Sequence, residues 1–470
     1  MKLKLLTSAL LAVMVFSPAQ GQFPDTPAAR QFSAWLEAFN SGDRATFLKF
    51  FQENYPSQAG HLDGLMSLRE GSGGFDFKKA EESTPTHFSG LVQERNSDQF
   101  ARFVIEVEPA EPHHITHWNL RAIPRPAEFA IPRMSEPQLL TVLRAKLDQD
   151  TAADRFSGTV LVAKGGRPIF TGAYGLADHD KKIPNTLDTR FRIGSMNKMF
   201  TAVSVLQLVQ AGKINLTDPL GKYLADYPNK DIASKVTIHQ LLTHTGGTGD
   251  FFGPEFDAHR LELKTLQDYV NLYGKRGPEF EPGSQWKYSN YGFLLLGVVV
   301  EKVSGQSYYD YVRVHVYKRA GMTLTGSAPE DASVLDRSIG YTKQGGDTWH
   351  PNTDTLPYRG TSAGGGYSTV GDLLRFANAL QTHKLLNAHC TELLTAGKVD
   401  TPGGAKYAYG FGDQTDNGVR SFGHAGGAPG MNGELLIFPQ SGYVVAVLAN
   451  MDPPAAQRIS QFISARLPDK

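Results

Sequence analysis

The chain is poor in cysteine, in net charge and in long apolar runs, and each shortage closes off a class of function. Its 470 residues include a single cysteine, Cys390, so no internal disulfide can form. The neighbours of that thiol are not obviously basic, and it reads as a buried, inert side chain. Lys plus Arg and Asp plus Glu both number 47. With no net charge and no basic run, nucleic acid and anionic membrane surfaces are not expected as partners. The apolar run at 5–16 falls short of the ~20 residues that a membrane-spanning helix needs. A G-x-x-x-x-G-K phosphate loop is also missing, so nucleotide chemistry has no support.

What is present is the composition of a globular protein. Hydrophobic residues make up 40% and charged residues 20%, enough apolar material for more than one core. A length of 470 residues fits two domains. The first residues have a targeting layout: Lys2 and Lys4, the apolar run, then small residues at Ala19 and Gly21. This predicts a cleavable signal peptide over 1–21 and a secreted or periplasmic product. No cysteine follows the run, which argues against a lipoprotein anchor.

Residues 22–123 predict a small α+β domain. Phe32, Trp35, Leu36 and Phe39 recur at helical spacing, Asn40-Ser41-Gly42-Asp43 breaks the pattern, and Phe47, Phe50 and Phe51 resume it. The segments 88–94, 99–108 and 115–123 read as strands, with polar Arg102, Glu106 and Glu108 set against Phe103, Ile105 and Val107. His113, His114 and His117 lack the carboxylate or cysteine partners of a metal site and read as a solvated hairpin end. Prolines between 124 and 137 mark a stiff linker, and 138–470 forms the second domain.

In that second domain, 158–163 and 169–174 flank Lys164-Gly165-Gly166-Arg167, a hairpin with a glycine turn. A second hairpin is expected over 433–450 and a last helix over 457–467. Between them, Ser195 and Lys198 stand three residues apart at the start of a helix expected to run to about Ala211 and stop at Gly212. Residues i and i+3 share a helix face, so a hydroxyl and an amine project together. A serine hydroxyl becomes a nucleophile only when an adjacent base takes its proton. Taken singly, Ser-x-x-Lys is a common pair, Tyr288 a packed aromatic and Asn290 a turn residue. Their joint occurrence is what gives them weight. Tyr288-Ser289-Asn290 follows a Pro282-Gly283 turn, and His424-Ala425-Gly426 is expected in a glycine-rich turn before a strand.

In this order the three segments resemble the Ser-x-x-Lys, Tyr-x-Asn and Lys/His-x-Gly elements of class C β-lactamases, serine D-Ala-D-Ala carboxypeptidases and related esterases. The phrases at 240–246, 288–297 and 363–368 match these β-lactamase-related serine hydrolases as well, and the resemblance covers roughly 136–468. It implies an antiparallel sheet flanked by helices with a helical insert, an α/β architecture. The phrase at 35–43 and the strands after it resemble the ketosteroid-isomerase-like cone domains fused to such hydrolases, for which an accessory role is expected. Ser195 is then the nucleophile. Lys198 and Tyr288 act jointly as general base, with Tyr288 also the acid to the leaving group. Asn290 would hold a substrate amide oxygen and orient Lys198. Ser195 and Gly427 supply the oxyanion donors, Gly427 lacking a Cβ so that substrate can approach closely, and Gly426 belongs with it to the substrate-binding group. Glycines 364–366 are expected at the site rim.

No cofactor or metal is expected. His239 and His244 lack the clustered ligands of a hydrolytic zinc site and read as structural. His424 stands where β-lactamases commonly have lysine. An imidazole carries charge only partly near pH 7, so its attraction for a substrate carboxylate is conditional. An exported peptidase or esterase acting on a peptide or small molecule is therefore favoured over a class C-like β-lactamase. The rival from another class is a non-catalytic peptidoglycan- or β-lactam-binding protein.

Overall fold

The computed structural model describes residues 23–58, 60, 62–344, 348–416 and 418–468. The signal peptide expected over 1–21 lies outside them. The chain divides into two compact units, at Pro126 and Ala127.

The first unit has three helices, Pro27–Ser41, Arg44–Asn54 and Leu62–Ser72, followed by four strands. Phe75–Ser83, His87–Glu94, Phe100–Val107 and Ile115–Ile123 pair antiparallel in chain order. The break at 40–43 is a pair of caps. Gly42 ends the first helix at φ 70, a left-handed position suited to glycine, and Asp43 caps the second through Thr46 N–H at 2.8 Å. Trp35 stacks on Phe39 at 4.8 Å, and Phe32 on Phe88 at 4.7 Å. The helical stripe thus meets the sheet through buried rings. The third helix and the first strand escape the sequence patterns. The helix holds two glycines, and the strand carries Lys78, Lys79, Glu81 and Glu82 over much of its length. His113 and His114 lie at the turn before the last strand and stand near Glu111 and Glu108, at 3.4 and 3.6 Å.

The second unit is built on an eight-stranded antiparallel sheet. Its order is Val399–Asp400, Lys406–Tyr407, Gly412–Asp416, Val419–Ala428, Met431–Phe438, Tyr443–Ala449, Gly158–Lys164 and Arg167–Tyr174. Strands from the two ends of the unit therefore meet in its middle, with Val447 opposite Val160. Alternation along these strands feeds two cores. Val160, Val162, Val445 and Val447 pack with Leu143 and Leu147 of helix Glu136–Ala152 and with Ile459 of helix Ala455–Ser464. Leu161, Ala163, Val444, Ala446 and Leu448 face the other way, toward Met199, Val203 and Leu206 of helix Asn197–Gln210. Sheet between helical layers is the arrangement expected. Among the described residues no helix is long and apolar enough to cross a membrane.

Candidate active site

Ser195 sits on a tight turn rather than in the helix. Gly194–Met196 is one 3-10 turn, and the α-helix begins at Asn197. One neighbouring stretch, 365–368, holds this turn from one side. Phe191–Arg192 pairs with Tyr367–Ser368, Ile193 N–H donates to the Gly366 carbonyl at 3.2 Å, and Gly365 N–H donates to that of Gly194 at 3.1 Å. Glycines 365 and 366 thus hold the nucleophile's turn through backbone hydrogen bonds, and 364–366 are half-buried beside it. On the other side runs strand Val419–Ala428, which contains His424, Ala425 and Gly426 in full; they lie within a strand, not in a turn before one. A Cβ on Gly426 would stand 1.9 Å from the Ile193 oxygen, so only glycine fits. Gly194 in turn lies against the Gly427 nitrogen, which a Cβ would meet at 3.0 Å. The backbones of the Gly194–Ser195 turn and of Gly426–Gly427 thus approach each other closely.

Lys198 is wholly buried one turn along. Its Nζ lies 3.2 Å from Ser195 Oγ and 2.7 Å from Asn290 Oδ1, and it also donates to the Ala363 carbonyl. Burial lowers its pKa to about 7, while the negative charge of Asp250 works the other way. The ammonium can donate to all three partners, whereas the neutral amine, with two N–H groups, serves Asn290 Oδ1 and the Ala363 carbonyl and turns its lone pair to the serine hydroxyl.

The Ala363 carbonyl is itself held by the helix that carries Lys198. Asn197 Nδ2 donates to Thr361 O at 2.5 Å and Thr201 Oγ1 to Ser362 O at 2.7 Å. Three side chains of one helix thus grip three successive carbonyls, with Lys198 in the middle. Tyr308 reinforces the grip, its hydroxyl 2.7 Å from Thr201 Oγ1.

Tyr288 and Asn290 reach the site from the start of helix Asn290–Ser304, which Ser289 caps through Gly292 N–H at 2.9 Å. The pair straddles a helix start, not an extended segment, because the Ser289 cap turns the chain between them. The Tyr288 ring centroid lies 4.7 Å from Lys198 Nζ. Burial raises the pKa of the Tyr288 phenol, and its hydrogen bond to Ser195 offsets this only in part. The site therefore favours the neutral phenol over a tyrosinate beside Lys198.

Sequence reasoning missed two groups here, Asp250 and Tyr407, and read a third, His244, as structural. His244, buried and at φ 60, accepts the Ser289 N–H on Nδ1 at 3.1 Å and packs its ring 4.3 Å from Tyr288. Asp250 accepts from Asn290 Nδ2 at 2.8 Å. Tyr407 places its hydroxyl 3.0 Å from His424 Nε2. The His-Thr-Gly-Gly-Thr-Gly-Asp run at 244–250 was visible, but nothing in its spacing shows that it folds against Tyr288 and Asn290. His239 stands apart from these groups and contacts the Tyr409 hydroxyl at 2.7 Å. Among the described residues no group of three His, Cys, Asp or Glu side chains could hold a metal.

Fold and site together define a hydrolase-type β-lactamase scaffold, and sequence comparison agrees. The family described as Beta-lactamase matches residues 143–468, and the chain belongs to it. Penicillin-binding protein 4* of Bacillus subtilis strain 168 is 30% identical over 321 residues, 63% of this chain and 69% of that protein. A solved penicillin binding protein from Bacillus halodurans is 35% identical with a TM-score of 0.63, over 68% of this chain and 99% of the other. A D-stereospecific amidohydrolase from a Streptomyces species is 29% identical with a TM-score of 0.57, over 68% of this chain and 97% of the other.

Proposed function

We propose that the protein is an exported serine hydrolase that cleaves amide or ester bonds through an acyl-enzyme on Ser195, of peptidase or esterase type. One observation carries this reading: a buried lysine with a pKa near 7 stands 3.2 Å from the serine hydroxyl. Neutral Lys198 takes the proton as Oγ attacks the substrate carbonyl. The oxyanion forms between the Ser195 and Gly427 amides, and one such donor is typically worth about 3–4 kcal/mol of barrier. Tyr288 gives its proton to the departing amine or alcohol and regains one from Lys198. Water then attacks the acyl-enzyme, its proton returns to Oγ, and free serine is restored.

His424 separates this reading from a β-lactamase. Burial and the nearby Lys198 lower its pKa to about 3, so it is neutral and offers no fixed charge to a lactam carboxylate. A panel of short p-nitrophenyl esters, amino-acid anilides and nitrocefin tests the ranking. Esters or anilides are expected to give the highest kcat/KM; nitrocefin far ahead of both would reverse it. Export rests on the layout of residues 2–21, and sequencing the N-terminus of protein recovered outside the cytoplasm tests it.

A further inference from the structure

Resting on the acyl-enzyme reading above, we infer that Asn432 is a positioning residue for the oxyanion donor. Its side-chain amide fixes the peptide group shared by Gly426 and Gly427, and through it the direction and strength of the Gly427 N–H.

Asn432 stands opposite Gly427 on strand Met431–Phe438 and is 1% exposed. Its Nδ2 donates to the Gly426 carbonyl at 2.9 Å and to Gln457 Oε1 at 3.2 Å. Its Oδ1 accepts the Ala456 and Gln457 N–H groups at 2.7 and 3.3 Å. A carbonyl can only accept and a backbone N–H can only donate, so the amide fits in one orientation, with every hydrogen-bonding position used.

The effect falls on the next amide. A trans peptide is planar and its C=O and N–H point opposite ways. A Gly426 carbonyl held toward Asn432 therefore turns the Gly427 N–H away from strand Met431–Phe438. On that far edge, the pairing of strand Gly412–Asp416 ends with Gly412 opposite Gly423, short of Gly427. The nucleophile's turn lies against the same peptide group. A Cβ on Gly194 would stand 3.0 Å from the Gly427 nitrogen, and one on Gly426 would stand 3.0 Å from the Ser195 nitrogen. Gly427 turns its other face to Pro453, whose Cγ a Cβ would meet at 2.6 Å.

The bonds also run head to tail. Ala456 and Gln457 lie in the first turn of helix Ala455–Ser464, where N–H groups lack intrahelical partners and carry the positive end of the helix dipole. They donate to Asn432, Asn432 donates to Gly426, and the Gly427 N–H donates to the oxyanion. Each bond in such a chain polarises the next, so its last N–H is a stronger donor than an isolated amide.

The test compares p-nitrophenyl acetate with its thiono counterpart, in which sulfur replaces the carbonyl oxygen. Sulfur is a weak acceptor, so the thiono ester draws little on the oxyanion donors, and the oxo-to-thiono ratio of kcat/KM reads them. Asn432→Asp keeps the acceptor for the helix N–H groups and loses the donor to Gly426; Asn432→Ala loses both. Ala456, Ile459 and Ile463 bury the helix without Asn432, so both variants should fold. Removing a whole oxyanion donor costs about 10²–10³ in rate, and a donor that stays but is no longer held should cost about tenfold or more. The ratio should fall by about that factor in both variants. A purely structural role would slow the two esters alike, and an unchanged ratio in either folded variant overturns the inference. Labelling of wild-type Ser195 by a fluorophosphonate, run alongside, separates the two levels: adduct with an unchanged ratio sinks this inference alone, and no adduct sinks the acyl-enzyme reading beneath it.

Discussion

Tyr407 holds its hydroxyl 3.0 Å from Nε2 of His424, while Nδ1 of the same ring donates to the Ala425 carbonyl. A carbonyl can only accept, so the single imidazole proton lies on Nδ1 and Tyr407 donates to Nε2. Both nitrogens are occupied in the neutral ring, in keeping with a pKa lowered to about 3. Nitrogen NMR of the imidazoles should therefore show His424 as a neutral Nδ1–H tautomer throughout pH 5–8. A titration centred near 6.5 would restore a conditional charge at this position.

The second prediction concerns pH and rate. Lys198 works as a base only when neutral, and burial sets its pKa to about 7. The profile of kcat/KM, which reports the free enzyme, should rise with pH through a midpoint near 7. Asp250 raises that pKa, so Asp250→Asn should move the rising limb to lower pH. A shift the other way would show that Lys198 does not govern the limb.

Deletions at the centre should not add. Ser195→Ala and Lys198→Ala should each cost roughly a thousandfold or more in kcat, and the double variant little beyond that, since groups acting as one unit are non-additive. Full additivity would reduce Lys198 to a structural role.

The carbonyl grip is a further point of attack. Thr201→Val keeps the shape of the side chain but leaves the Ser362 carbonyl without its 2.7 Å donor. The expected loss is about 1–3 kcal/mol of stability, read as a lower Tm, with a fall in kcat rather than a rise in KM. Thr201→Ser should recover most of both. Unchanged kcat in Thr201→Val would mean that Lys198 holds its position without the grip.

Much of this molecule was legible in the sequence, for identifiable reasons. Helix 197–210 and its stop at Gly212, the 158–174 hairpin and the aromatic stripe from Phe32 to Phe39 follow from periodicity and glycine placement. Ser195, Lys198, Tyr288, Asn290 and His424 could be selected because nucleophile and proton-transfer chemistry requires those types of side chain. Their surroundings were not legible. Asp250, Tyr407 and His244 reach the site only through tertiary packing, and no periodicity encodes such a meeting. The extent of burial at the site was not legible either: it lowers Lys198, and it keeps Tyr288 protonated. Burial is a property of the folded chain, not of a motif.

The central claim is that Ser195 is an activated nucleophile, and covalent capture tests it most directly. Folded wild-type protein treated with a fluorophosphonate and weighed intact should gain one adduct, which peptide mapping places on Ser195 and which Ser195→Ala lacks. Well-folded protein that stays unmodified, or an adduct mapped to any other residue, would contradict the account.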